Sequence, residues 1–207
     1  MYVPSAFAEE RLDVLHEFVS THDFATLITN AGGEMVASHL PMLLLPTRGR
    51  YGTLQVHLAR QNEQWHALEA GEPALVIFQG PHAYVSPRWY RNPISVPTWN
   101  YVVVHAHGTP RAMDDAALRD HLIALVSKYE PRDGGWDVGA LPGDVMDKLQ
   151  GQVVGFEIEI ARLQGKWKLG QNRTVEDRQG AIAGLRQDGA DTGAIALAEW
   201  MAAALRG

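Results

Sequence analysis

The sequence predicts a mainly β fold with helical additions, arranged as a small antiparallel barrel or sandwich. Three observations predict it. Short runs with period-two alternation recur along the chain, most of them come as hairpins, and the helical periodicities sit at the edges. The sequence also lacks a Gly-rich turn leading from a strand into a helix, which removes the usual dinucleotide and P-loop patterns.

The elements follow in order. Residues 9–20 place Leu12, Leu15 and Val19 at helical spacing. "FATLITNAGGEMVASHLPMLLL" reads as two strands joined at Asn30-Ala31-Gly32-Gly33. "YGTLQVHLA" is a third strand, and "NEQWHALEAG" a short helix ending at Gly71. "PALVIFQG" and "HAYVSP" read as a fourth and a fifth strand around Gly80-Pro81, and "PTWNYVVVHAHGTPRAM" as a sixth. A helix over 114–129 carries an apolar stripe of Leu118, Leu122, Leu125 and Tyr129 and stops at Pro131. "DVMDKLQ" is a short helix. "VVGFEIEIARLQGKWKLGQ" is a strand or strand pair, with Phe156, Ile158 and Ile160 alternating against Glu157 and Glu159. Two helices follow, about 174–187 and 191–206, broken at Asp188-Gly189.

With 207 residues, the chain suits one domain with a sizeable core. We expect that domain over 1–187, with 188–207 as its helical appendage. There is no cysteine, which excludes disulfides and thiolate metal sites. No apolar run approaches the ~20 residues of a membrane span, and the N-terminus lacks the basic start and apolar centre of a signal peptide. The expected setting is the cytoplasm, away from any membrane. A net charge of −6 argues against direct DNA binding, which uses a basic face.

The charge is unevenly placed. Residues 35–62, 73–113 and 160–175 contain no Asp or Glu, yet carry Arg48, Arg50, Arg60, Arg88, Arg91, Arg111, Arg162, Lys166, Lys168 and Arg173. Brought together, they would make an anion site on an acidic protein; strands are also simply poor in Asp and Glu.

Polar groups stand where strands are expected: Ser38, His39, His57, Arg60, Asn100, His105 and His107. His105 and His107 share a strand face, as a metal pair would, but hydrogen-bonded imidazoles explain them better without a carboxylate cluster. Ser38 and Ser86 lack the nucleophile elbow of a hydrolase. A helix-turn-helix at the C-terminus would need a basic surplus, and residues 174–207 hold three arginines against five acidic residues. What remains is aromatic, amide and imidazole groups on strands, with basic residues in acid-free segments. A flat heteroaromatic ligand with an anionic tail would use all of them, and FMN has that shape.

Several stretches are more specific. "MYVPSAF", "HLP" at 39–41, "HLARQN" at 57–62, "IFQGPHAYVSPRWY" at 77–90, "VPTWNYVVVHAHG" at 96–108, "VGFEIEI" at 154–160 and "GKWKLGQNR" at 165–173 resemble the PaiB-like family, described as FMN-binding negative transcriptional regulators. The resemblance runs in order from Met1 to about Leu185. It departs at Glu63, where the family often has proline.

The resemblance implies a split β-barrel, related to pyridoxamine-phosphate oxidase and flavin reductase-like proteins, that acts as a homodimer with FMN at the interface. It nominates Ser38, His39, His57, Leu58, Ala59, Arg60 and Asn62 on one subunit, and Lys166, Trp167, Lys168, Gln171, Asn172 and Arg173 on the other. Trp99 and Asn100 would face the interface or the flavin. The phosphate is expected on Arg60, helped by free backbone N–H groups at the start of the helix after it, and on Lys166 or Lys168. Arg48 and Arg50, on a loop, are expected to be solvated. The alternatives to an indirectly acting regulator are an FMN-dependent oxidoreductase of unknown substrate and, from nine histidines alone, a haem-handling split barrel.

Overall fold

The computed structural model describes residues 1–91, 94–131, 133, 135–187 and 192–206. The chain divides into two compact units, one of residues 16–78 and 105–163, the other of residues 1–15, 79–104 and 164–207. The expected domain boundary and the expected helix break at Asp188-Gly189 fall on residues outside those described.

The first unit is organised by antiparallel pairing. Strands β2 (Phe24–Ala31) and β3 (Glu34–Pro41) form the anticipated hairpin in full register. Gly32 and Gly33 have φ of 62° and 97°, the conformation a two-residue hairpin turn requires and a side chain resists. β2 also pairs with β6 (Ala74–Val85), and β5 (Thr53–Ala59) pairs with β4 (Leu43–Leu45) and with β8 (Val153–Lys168). With β7 (Thr98–Ala112), the strand order is β3-β2-β6-β7-β8-β5-β4. Leu27, Leu54, Val56, Leu58, Val76, Phe78, Phe156, Ile158 and Ile160 are buried as its core. The alternation read from 156–160 is therefore real, with Glu157 half-buried and Glu159 exposed.

Two strand expectations need correction, and one left open between a strand and a strand pair is resolved. Gly80-Pro81 is not a turn: β6 continues through it, because Pro fixes φ at a value an extended chain can use. Residues 153–168 are a single strand. The run 34–45 is divided at Met42, which is buried and whose N–H bonds Asp23 O at 2.9 Å, so β4 is a separate strand.

Helix α3 (Asp115–Tyr129) begins at an Asp114 cap, whose carboxylate accepts from Ala117 N at 2.8 Å. Its buried face is Leu118, His121 and Leu125, so Leu118 and Leu125 of the expected stripe turn inward while Leu122 is half-buried. Tyr129 is exposed, and its hydroxyl donates to Asp23 at 2.5 Å. Arg48 is not merely solvated: it forms a two-pronged pair with Glu157 at 2.6 and 2.7 Å, and Gln55 adds a bond to the same carboxylate.

In the second unit, the short strand β1 (Ala8–Glu9) pairs with β8 at Gly165 and Lys166. Helices α5 (Val175–Gln187) and α6 (Thr192–Arg206) bury Ala181, Ile182, Leu185, Leu197, Ala198 and Met201. Arg178 donates to Ala204 O at 2.8 Å, a cation placed where the α6 dipole is negative. No helix among the described residues is long and apolar enough to cross a membrane.

Candidate functional site

The first group of nominated residues lies where β5 ends and a short helix α2 (Gln64–Glu69) begins. Leu58 is fully buried in the core, so only its backbone is available to a ligand. Ala59 is exposed. Arg60 N donates to Gln152 O at 2.8 Å, and its guanidinium donates to Gly151 O at 3.1 Å and Val153 O at 3.3 Å. Two of its five N–H donors thus hold the chain in place and three remain. Asn62 Nδ2 donates to Ser38 Oγ at 2.9 Å, and Asn62 Oδ1 accepts from Gln64 N at 3.1 Å. His39 Nδ1 lies 3.1 Å from Thr26 Oγ1, its register partner on β2. The structure therefore brings Ser38, Arg60 and Asn62 into one bonded turn.

The start of α2 is not the open anion cradle expected. Gln64 N is taken by Asn62, while Trp65 N bonds Asn62 O at 3.2 Å and His66 N bonds Glu63 O at 3.1 Å. Two residues not nominated as ligands organise this turn. Gln64 is buried, and its amide reaches Leu27 O, Thr29 Oγ1 and Val36 O at 3.1–3.2 Å, clipping α2 to the β2–β3 hairpin. Trp65 Nε1 donates to Arg60 O at 2.9 Å.

His57 is the half-exposed residue in an otherwise buried part of β5. Its Nδ1 lies 3.0 Å from Nε2 of His121, which is 1% exposed. Burial holds His57 below the ordinary imidazole value and His121 down to about 4, with the neighbouring His57 adding to the latter. His121 was missed in the sequence, although it stands three residues after Leu118, on the helix face that turned inward.

The second group lies at the far ends of β7 and β8. Trp99 is 54% exposed and lies against His82 and Tyr84, at centroid distances of 6.2 and 6.3 Å. With Gln79, His82, Tyr101, Val102 and Val103 it lines a cavity of about 250 Å³. Asn100 points elsewhere: it is 2% exposed and its amide contacts Met201 Sδ at 3.5 Å. Lys166 is buried. Its Nζ donates to Tyr2 O at 3.1 Å and lies 5.5 and 5.1 Å from the ring centroids of Tyr2 and Tyr101. Lys168 Nζ donates to Thr98 Oγ1 at 2.5 Å and Trp99 O at 2.6 Å, and lies 5.9 Å from Tyr101.

Two apart on a strand, these ammonium groups share a face. Among the described residues neither pairs with a carboxylate. Burial lowers the Lys168 pKa, Tyr101 offsets part of that, and the charge of Lys166 adds a smaller lowering.

Trp167 faces the other way, buried and edge-on to Trp200 at 5.9 Å. Gln171 closes the turn after β8, its amide donating to Trp167 O and accepting from Leu169 N. Asn172 is exposed. Arg173 lies 4.7 Å over Tyr90 and reaches Ser95 Oγ at 3.4 Å. His105 and His107 do share a face of β7, with rings 6.4 Å apart, and Arg162 lies 3.0 Å from His107 Nε2.

Known proteins define the class. The chain matches the solved flavocytochrome Anf3 of Azotobacter vinelandii with a TM-score of 0.62 at 15% identity, covering 84% of this chain and 75% of that one. It matches the FAD and haem binding protein of Mycobacterium smegmatis at 0.60 and 21%, covering 83% and 78%. At these identities they establish the fold, a split barrel. The family follows from sequence: residues 1–162 match the family described as "Putative FMN-binding domain", and the chain belongs to it. It is 36% identical over 191 residues to protease synthase and sporulation protein PAI 2 of Bacillus subtilis strain 168, covering 91% of this chain and 90% of that one. This agrees with the PaiB-like resemblance read from the motifs. FMN is the family's cofactor, and the side chains here fit it. Two lysines without a carboxylate suit a phosphate, and the exposed Trp99 suits a ring system.

Proposed function

We propose that the chain binds FMN as a homodimer. The turn containing Ser38, Arg60 and Asn62 of one protomer and the 166–173 segment of its partner hold the same flavin. The observation that carries the reading is the pair Lys166 and Lys168, two fixed ammonium groups facing carbonyls, a hydroxyl and aromatic rings but, among the described residues, no carboxylate. A phosphomonoester of about −1.5 to −2 charges supplies what they lack. Arg60, held by two backbone carbonyls, adds preorganised donors. The exposed Tyr84, Val96 and Trp99 supply apolar surface for the partner and the ring.

When bound, FMN supplies hydride and one-electron chemistry. The side chains described here bind and orient it, and none is marked out as an acid or base for a second substrate. Binding, with an indirect effect on transcription in the cytoplasm, is therefore the conclusion, ahead of a dedicated oxidoreductase. Helices α5 and α6 turn apolar residues inward, and with three acidic and three basic residues between them they offer no basic surplus for phosphate contact with DNA.

Titration of the purified protein with FMN, followed by flavin absorbance and light scattering, tests this. Saturable binding by a particle of twice the chain mass is expected. A monomer that still binds FMN would remove the shared site, and no binding would remove the reading altogether.

A further inference from the structure

Residue 155 on β8 is opposite His57 in the β5–β8 register. A Cβ there would come within 2.8 Å of Leu118 Cδ1 and 2.9 Å of Met113 Sδ. Glycine thus lets α3 lie close to the sheet, and its next inward residue, His121, meets His57. The rings are edge-on, with centroids 5.3 Å apart and an interplanar angle of 66°.

The 3.0 Å contact joins His57 Nδ1 to His121 Nε2, and one of the two must carry the hydrogen. If His57 Nδ1 carries it, a neutral His121 has its own proton on Nδ1. That atom is buried with no partner among the described residues, so an N–H there would be orphaned. If His121 Nε2 carries it, the orphan is a bare lone pair, the milder defect. The second arrangement is favoured. His57 then accepts at Nδ1, and its own proton sits on Nε2. A cationic His57 would have to donate at Nδ1 and would restore the orphaned N–H, so the pair also disfavours that state.

We propose that His121 is a positioning residue that holds His57 as a neutral imidazole with its proton on Nε2, a fixed N–H donor toward an acceptor atom of the bound flavin. This rests on the placement of the flavin beside the end of β5.

Histidine ¹⁵N spectra of the ligand-free protein at neutral pH test the first part independently of that placement. Both Nδ1 atoms are expected to be unprotonated and both Nε2 atoms protonated. A protonated His57 Nδ1 would overturn the proposal. Added FMN is expected to shift the His57 Nε2 signal; saturation without a shift overturns the donor role. If FMN does not bind at all, the site placement and the donor role fall together, while the tautomer result stands alone.

Two variants separate positioning from folding. His121→Leu, checked by circular dichroism, is expected to weaken FMN about tenfold. His121→Gln can donate its amide to His57 Nδ1 and is expected to stay within about threefold of wild type. A folded His121→Leu that binds normally contradicts the proposal. Should His121→Leu fail to fold, His121→Gln decides: retention of the His57 Nε2 proton and of FMN affinity supports positioning, and FMN affinity unchanged with the proton moved to Nδ1 refutes it.

Discussion

Among the described residues, the turn after β5 and the end of β8 both hold cations without a carboxylate partner, but by different means. At the turn, Arg60 is fastened to two backbone carbonyls, and Ser38, Asn62 and Gln64 bond one another. Removing a side chain there loosens the structure. At the end of β8, Lys166 and Lys168 meet carbonyls, a hydroxyl and the Tyr101 ring, and burial is the chief cause that lowers the Lys168 pKa. Such a pair gains more from an arriving anion than it gives to the fold. The comparison makes the turn a frame and the lysines a recognition element.

The largest effect is expected in the frame. Gln64→Leu leaves Leu27 O, Thr29 Oγ1 and Val36 O without their shared amide donor and should destabilise the protein by about 2–3 kcal/mol. Urea denaturation checks it. A loss under about 0.5 kcal/mol, the range of an ordinary surface substitution, would mean that the clip is ornamental.

Much of this contrast was hidden in the sequence for physical reasons. The β2–β3 hairpin was legible because Gly32-Gly33 is a local signal, and the alternation at 156–160 because one face of the strand is buried. Gln64, His121 and the Arg48–Glu157 pair were not, because each depends on partners 28 to 109 residues away. Gly80-Pro81 misled because a dipeptide common in turns is also compatible with extended backbone. The nominated residues were chosen by motif, and motif does not tell Asn100, turned inward to Met201, from Trp99, turned out to solvent.

Arg60 lies between frame and recognition. Arg60→Ala should weaken FMN about tenfold and riboflavin by a smaller factor, because it removes both phosphate donors and an anchor of 151–153. Isothermal titration with the two ligands reads the ratio. Equal losses would place Arg60 wholly in the frame.

The smallest effect is a pH dependence. His121 has an ordinary value of 6.5 and is held at about 4 in the fold, chiefly by burial. The fold favours its neutral form, so this stability is complete above about pH 6.5 and is lost as the pH falls toward 4. Urea midpoints at pH 7 and pH 5 should therefore differ less in His121→Leu than in wild type. Equal differences would mean that other groups carry the acid sensitivity.

The central claim is that the end of β8 recognises the phosphate. It is tested most directly by titrating Lys166→Met/Lys168→Met with FMN and with riboflavin, following flavin fluorescence. Two lost charge-assisted contacts predict about a 100-fold loss for FMN and less than about threefold for riboflavin, with unfolding stability nearly unchanged. Undiminished FMN affinity in the folded double variant would contradict the account.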